Sequence, residues 1–236
     1  MSTLLYIDIE TIPGPTPPAM QELNAQDYLV KEGSHPSNYK DEAKINAWYE
    51  RKSAELGTKY HNDLRAQKEK QHDLHAKQAL NSMQGQIVCV SYACGDAPVK
   101  TVHAKDEVVI IDSLYGALEG LKMSRFQEFT FIGHNVWFDL MFLQHKAIKY
   151  KSKLKTLFPQ YRDYDNWVDT NLEWNMGQRN KYTKLKDICE FLGIEQKDEI
   201  DGSQVWDAYK AGQMDKIIEH CESDVKAVRE LYKRMR

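Results

Sequence analysis

The sequence predicts an α/β domain whose sheet contains both antiparallel and parallel strands. An almost wholly apolar strand opens the chain at residues 4–10. An apolar stretch at residues 86–93 and a shorter strand at residues 99–103 flank a Gly-Asp-Ala-Pro turn and predict a hairpin. Helical and strand patterns then alternate along the rest of the chain, which is typical of a mixed sheet flanked by helices.

The first strand carries two acids, Asp8 and Glu10, among apolar neighbours. Side chains two positions apart on a strand point to the same face, so the two carboxylates project together. Ionised carboxylates at that separation repel each other and lose hydration, which favours a cation between them. Oxygen ligands suit Mg²⁺ or Mn²⁺. The alternative is a surface strand with alternating acids, but Ile7 and Ile9 leave no clearly polar second face.

A polar segment follows the first strand and is predicted to be a helical insertion at residues 15–84. A proline-rich exit ends the strand, because proline continues neither a helix nor a sheet. Apolar residues then recur at helical spacing and predict one or two long amphipathic helices. They are Ile45, Trp48, Tyr49, Leu56, Tyr60 and Leu64. Charges of both signs favour a solvated helical arm over a lid that guides a nucleic-acid strand along its lysines.

The later elements bring three more acids to the ends of apolar segments. A helix after Asp106, a strand at residues 130–133 and a helix from Phe138 place Asp139 in a first helical turn. Residues 167–170 form a short strand or turn that carries Asp169, which we expect to cap a helix or turn. The last helix, residues 214–236, carries His220 and Asp224 one turn apart on one face.

Composition indicates a single soluble domain of 236 residues and 27.5 kDa, with a mean hydropathy of -0.66. No stretch approaches the ~20 apolar residues of a membrane helix and no signal segment is evident, so we expect a cytoplasmic protein without a membrane partner. The four cysteines show no Cys-x-x-Cys pair and are expected to be free buried thiols.

The charge balance argues against avid, global binding of duplex DNA. The net charge is -3 and the isoelectric point is near 6.3, so any nucleic acid would be held locally. One local basic stretch runs from residue 149 to 155, where four lysines alternate with other residues. It is either a solvated face or a loop that contacts phosphate groups.

Three motifs in this order resemble the Asp-Glu-Asp-Asp superfamily of 3'-5' exonucleases, which have a ribonuclease-H-like fold. Residues 7–11 are similar to the first motif, residues 133–139 to the second and residues 220–224 to the third. The stretches at 168–170, 185–187, 201–209 and 218–225 look more specifically like proofreading-exonuclease-like proteins related to family B DNA polymerases. The resemblance implies one exonuclease domain over residues 1–236, interrupted by the insertion.

The third motif departs from both branches of that superfamily. One branch has tyrosine four positions before the last aspartate, and the other has histidine five positions before it. This chain has His220 at the tyrosine spacing. A residue four positions from Asp224 still lies on the same helical face, so His220 can reach the site.

The resemblance implies hydrolysis of phosphodiester bonds by two divalent cations, Mg²⁺ or Mn²⁺. It assigns both cations to the four acids Asp8, Glu10, Asp139 and Asp224. It makes His220 the general base or the residue that orients the attacking water. It also implies that Thr11 and Ile12 contact the terminal sugar and wedge against the last base, and that Asn135 and Trp137 touch the strand, although Trp137 could equally be a core residue.

The resemblance implies a substrate at the 3' end of DNA, preferably single-stranded or frayed, and release of nucleoside monophosphates. The same chemistry on RNA is an alternative, since recognition of the 2'-hydroxyl depends on contacts around the sugar. A second alternative is a catalytically silent module that binds nucleic acid or protein. Retention of all four acids speaks against it, and the His220 departure keeps it open.

Overall fold

The computed structural model describes residues 3–125, 128–158, 166–196 and 199–236. The chain divides into two compact units, of which the main unit comprises Met1–Gly14 and Gln78–Arg236 and the insertion unit Pro15–Lys77. The insertion therefore ends seven residues earlier than its sequence pattern predicts. Residues 78–84 belong to the main unit, where the Thr11 hydroxyl donates a hydrogen bond to the Ala79 carbonyl at 2.8 Å.

The main unit is built on a five-stranded mixed sheet in the order β3-β2-β1-β4-β5. The strands are β1 Thr3–Ile12, β2 Gln86–Cys94, β3 Lys100–His103, β4 Phe129–Gly133 and β5 Trp167–Asp169. β2 and β3 form the predicted hairpin, β1 pairs with β2 in antiparallel, and β4 and β5 add in parallel on the other side of β1. β1 is therefore the central strand, which explains its nearly continuous apolar sequence.

Seven α-helices accompany the strands in the described ranges. They are α1 Glu42–Ala76, α2 Glu107–Arg125, α3 Val136–Lys149, α4 Thr170–Trp174, α5 Leu185–Leu192, α6 Val205–Lys210 and α7 Met214–Met235. None of the described helices is long and apolar enough to cross a bilayer.

The two faces of the sheet have separate cores. Leu5, Ile7 and Ile9 of β1 pack in one cluster with apolar residues of α2 and α3. Tyr6 and Ile12 lie on the opposite face, where they pack with α5, α6 and α7. This alternation sends Asp8 and Glu10 toward the α7 side, in the middle of an otherwise apolar layer.

The insertion unit contains one continuous helix of 35 residues, α1, rather than two. Its predicted apolar stripe is half-buried, and no residue of α1 is fully buried. The preceding segment lies along this stripe. Tyr28 donates a hydrogen bond to Asp63 at 2.7 Å, and Gln71 donates one to the Pro18 carbonyl at 2.9 Å.

Candidate active site

Asp8 and Glu10 of β1 form the centre of an acidic cluster. Carboxylate oxygens of both residues and the Cys221 sulfur of α7 all lie within 4.8 Å of one another. The Asp8 Oδ2 atom is buried and accepts no hydrogen bond from the described residues. A buried carboxylate oxygen without a donor is costly, so this atom is a ready ligand for a cation.

Asp139 joins the cluster from the first turn of α3. Its Oδ1 atom accepts a hydrogen bond from the backbone N–H of Ile9 at 3.0 Å. This bond spans 130 residues of sequence and holds the start of α3 against the strand segment between the two acids. The position of Asp139 depends on the tight turn between β4 and α3. Gly133 in this turn has no room for a side chain, because a Cβ there would lie 2.8 Å from a Val136 methyl group.

The helix α7 supplies the third part of the cluster. His220 is buried and its Nε2 atom lies 3.4 Å from Glu10 Oε1. Asp224, one turn later, accepts a hydrogen bond from Gln196 Nε2 at 3.0 Å. Between them, the Cys221 thiol donates to the Asp8 carbonyl at 3.4 Å, which seats α7 directly on β1.

All five predicted catalytic and metal-binding residues line one cavity of the main unit, with a volume of about 670 Å³. This volume lies within the range of small-molecule and cofactor sites. The cavity brings together acids from the first strand, the middle of the chain and the last helix, and the fold makes them neighbours because β1 is adjacent to both β4 and α7.

Burial and mutual repulsion raise the pKa values of three of these acids. Loss of hydration, followed by the charge of Asp139, raises the pKa of Asp8 well above its ordinary value of 3.8. Loss of hydration and then Asp8 raise the pKa of Glu10 in the same direction. The pKa of Asp139 is also raised by burial, against the opposing hydrogen bond from Ile9. The cluster cannot be fully ionised at low cost without added positive charge.

The donor set fits hard divalent cations. It consists mainly of carboxylate oxygens, with one unpartnered and buried oxygen at its centre. Mg²⁺ and Mn²⁺ prefer such ligands together with water. Cys221 adds a soft donor beside Asp8 and Glu10. All four cysteines of the chain lie within the described residues as buried free thiols, as expected from the sequence.

The predicted substrate contacts divide into two groups. Thr11 and Asn135 line the cavity, and Asn135 adopts a left-handed conformation at the start of α3 with φ 62°. Ile12 is only 4% exposed and packs in the core, so the predicted wedge against a base would require it to leave that core. Trp137 is 40% exposed and packs against Trp167, outside the described lining of the cavity.

Asp169 is a structural residue, as its position after a short strand predicts. It is the N-cap of α4 and its Oδ1 accepts hydrogen bonds from the backbone N–H groups of Asn171 and Leu172. The same oxygen accepts the N–H of Asn135 at 2.9 Å. Asp169 therefore holds the turn that leads into α3 and Asp139.

Sequence patterns did not reveal the cavity wall formed by His134, Tyr182 and Gln196. The ring of Tyr182 meets His134 edge-on at 5.8 Å. The pKa of the Tyr182 phenol is raised by partial burial and then by the charges of Asp224 and Asp8, although 63% of the residue is exposed. Tyr182 and Gln196 lie outside the helices and strands, where hydrophobic periodicity carries no signal. Only the basic and aromatic run 181–184 marks this wall in the sequence.

Comparison with known proteins assigns the chain to a family. Residues 77–236 match the family described as a predicted 3'-5' exonuclease related to the exonuclease domain of PolB. The chain belongs to this family. The match confirms the resemblance drawn from the three motifs and includes Asp139, His220 and Asp224, whereas Asp8 and Glu10 precede the matched residues.

Two further proteins are similar to this chain, one in sequence and one in structure. An uncharacterized protein of Methanocaldococcus jannaschii is 30% identical over 164 residues, which cover 65% of this chain and 88% of the relative. The family B DNA polymerase of Pyrobaculum calidifontis is similar in structure over the whole chain, with a TM-score of 0.58 and 14% identity. The chain spans about a quarter of that polymerase, 24% of its length. This likeness confirms the α/β ribonuclease-H-like fold.

Proposed function

We propose that this protein is a metal-dependent 3'-5' exonuclease that removes nucleoside monophosphates from the 3' end of DNA, preferably single-stranded or frayed. The observation that carries the proposal is the convergence of Asp8, Glu10, Asp139 and Asp224 on one cavity, with Asp8 Oδ2 buried and lacking a donor among the described residues. A silent binding module would have no use for four clustered acids, three of which have pKa values raised by burial and by neighbouring carboxylates.

The acids divide naturally between two cations, Mg²⁺ or Mn²⁺. In this proposal Asp8, Glu10 and Asp224 would hold one ion, and Asp8 would hold the other with support from Asp139, directly or through water. When bound, the ions supply an activated water and stabilise charge on the phosphoryl group and the leaving 3' oxygen. The protein contributes the rigid placement of the ligands, through the Ile9–Asp139 hydrogen bond and the contact of α7 with β1.

His220 is proposed to orient the attacking water or accept its proton. It is buried in the cavity lining, next to Glu10, and it shares the α7 face with Asp224. The His220 side chain is therefore close to proposed metal ligands on both β1 and α7. General-base residues of this kind typically contribute 10²–10⁴-fold to the rate.

Substrate contacts are proposed for Thr11 and Asn135, which line the cavity. Trp137, on the exposed part of α3 beside Trp167, is proposed to contact the strand outside it. The choice of DNA over RNA is part of the proposal, and cleavage of RNA ends by the same site is its closest alternative. The insertion unit, residues 15–77, is proposed as an arm inserted into a single exonuclease domain.

The test uses single-stranded DNA labelled at the 3' or the 5' end, with Mg²⁺, with Mn²⁺ or with chelator. We expect immediate release of the 3' label as a mononucleotide and a shrinking ladder from the 5'-labelled strand, both dependent on metal. Asp8→Ala should abolish both signals. Asp112→Ala, at an exposed position of α2, is the matched control and should retain full activity.

Parallel reactions with RNA of the same sequence decide the substrate class. Faster trimming of RNA would replace DNA with RNA in the proposal. Failure to cleave either polymer with either metal, in a protein shown to be folded, would refute the exonuclease and favour the silent binding module.

A further inference from the structure

A ridge of lysines stands at the end of α3, and the active-site proposal does not use it. The lysine ridge is defined here as Lys151, Lys153 and Lys155. All three side chains are exposed, whereas the intervening Ser152 and Leu154 are buried. The alternation of buried and exposed residues directs the three lysines to the solvent side of one short segment.

The backbone beneath the ridge is well anchored. The Ser152 N–H donates to the Ala147 carbonyl at 2.9 Å, and the Ser152 hydroxyl caps the short 3-10 helix Lys153–Thr156. Lys151 adopts a left-handed conformation with φ 57°, which costs a non-glycine residue roughly 1–2 kcal/mol. The segment therefore presents its lysines from a fixed backbone, so binding requires ordering of the side chains but not of the loop.

The ridge carries positive charge that none of the described residues neutralises. Residues 140–158 contain five lysines and no aspartate or glutamate. Lys146 and Lys149 share the buried acid Glu107, at 3.3 and 3.8 Å. None of the three ridge lysines forms an ion pair with a described residue, whereas Lys216 and Lys233 each pair with an acid. In a chain of net charge -3, this is a local basic surface.

The ridge and the acidic cluster are at opposite ends of the same helix. Asp139 lies in the first turn of α3 and Lys149 is its last residue, so the rise of 1.5 Å per residue separates them by about 15 Å. A phosphate bound at the ridge is therefore not the phosphate being cleaved. A polymer whose end occupies the cavity has further phosphates at that distance, whereas a mononucleotide or trinucleotide does not extend far enough.

We propose that the lysine ridge binds the phosphodiester backbone of the nucleic acid upstream of the 3' end that enters the cavity. The choice of nucleic acid as the partner rests on the proposed exonuclease function, whereas the observation of a basic surface does not. Contacts of this kind are electrostatic and independent of sequence, and they release about 0.7 counterion for each phosphate neutralised on a single strand. The ridge would thus favour longer substrates without altering the chemistry.

The test measures binding in the non-cleaving Asp8→Asn protein. Fluorescence anisotropy gives the Kd of a labelled single strand of about 20 nucleotides, a length that spans typical single-strand sites, over a range of salt concentrations. The ridge variant is Lys151→Gln, Lys153→Gln and Lys155→Gln combined. The control removes two exposed lysines elsewhere in the main unit that likewise form no ion pair with a described residue, as Lys100→Gln and Lys105→Gln, and it is matched by a ridge variant with Lys153→Gln and Lys155→Gln alone.

We expect the ridge variant to bind about tenfold or more weakly at low salt and to lower the slope of log Kd against log salt by about 2, from three contacts at ~0.7 each. The control should keep the slope. For a trinucleotide the ridge variant and its parent should bind equally. An unchanged slope in the ridge variant, an equal loss in the control, or failure of the parent to bind any oligonucleotide would overturn the proposal.

The two proposals fail in different ways. Cleavage by the wild-type protein together with an unchanged salt slope would remove the ridge and leave the exonuclease intact. Absence of cleavage by the wild type together with a reduced slope in the ridge variant would retain the ridge as a binding surface and remove the exonuclease.

Discussion

Replacement of Asp8 by asparagine should stabilise the metal-free protein while removing its response to metal. Oxygens of Asp8 and Glu10 lie within 4.8 Å of each other. Two unit charges 4.8 Å apart repel by about 3.5 kcal/mol at an effective dielectric constant of ~20. Partial protonation of the acids already relieves some of this repulsion in the wild type, and the amide N–H of the introduced asparagine needs a hydrogen-bond acceptor. We therefore expect Asp8→Asn to gain about 1–3 kcal/mol in the free energy of unfolding near pH 8.

The pH dependence has a defined sign. The folded-state pKa values of Asp8 and Glu10 lie well above the ordinary 3.8 and 4.5, so the folded protein binds more protons than the unfolded chain above about pH 4. In chelator, wild-type stability should fall as the pH rises from these ordinary values through the raised ones. The difference between Asp8→Asn and wild type should therefore grow with pH and shrink toward pH 4.

The assay is guanidinium denaturation at several pH values, with chelator and with Mn²⁺. At a Mn²⁺ concentration 100 times its Kd, the wild type should gain about 2.7 kcal/mol and Asp8→Asn much less. Asp112→Asn makes the same chemical change at an exposed site and should follow the wild type. A metal-free Asp8→Asn protein that is less stable than wild type at pH 8, or that gains equally from Mn²⁺, would refute the account of the cluster.

Three further predictions concern named positions. His220→Ala should lower the cleavage rate by about 10²–10⁴-fold while calorimetry still detects metal binding; a rate near that of wild type would remove His220 from the mechanism. Gly133→Ala should destabilise the fold by about 1–3 kcal/mol in thermal denaturation, because its Cβ would meet Val136. The control Gly116→Ala in α2 has open space around its Cβ and should be neutral or stabilising by up to ~1 kcal/mol. Equal effects of the two substitutions would contradict the crowding at Gly133. Lys146→Met should cost about 1–3 kcal/mol in denaturant unfolding, because it removes the buried lysine that pairs with Glu107 while Lys149, the Ile87 N–H and the Tyr150 hydroxyl remain as partners; a loss below about 0.5 kcal/mol would show that this ion pair is dispensable.

The sequence was most informative where a residue that is costly to bury interrupts a periodic apolar pattern. Acids in an apolar strand, at a helix start and on the last helix stand out from their apolar neighbours, and the resemblance of the three motifs grouped Asp8, Glu10, Asp139 and Asp224 as one proposed ligand set. The capping role of Asp169 was predictable for a similar reason, since an acid directly after a strand is a common N-cap.

The sequence was less informative where exposure depends on distant segments. Ile12 follows the acids on the same strand face, but whether that position meets substrate or core is decided by α6 and α7, almost 200 residues later. Tyr182 and Gln196 reach the cavity from irregular segments, which have no periodicity to indicate their orientation.

The sequence by itself determined the fold class, the order of the elements, the helical insertion and the identity of the acids, because periodicity and local propensity act over a few residues. Only the tertiary structure decided which side chains share the cavity, that Asp8 Oδ2 is left without a donor among the described residues, and that Ser152 and Leu154 are buried while the lysines beside them are exposed. These features depend on contacts such as Ile9 with Asp139 and Asp8 with Cys221, which join residues more than a hundred positions apart and leave no trace in a local pattern.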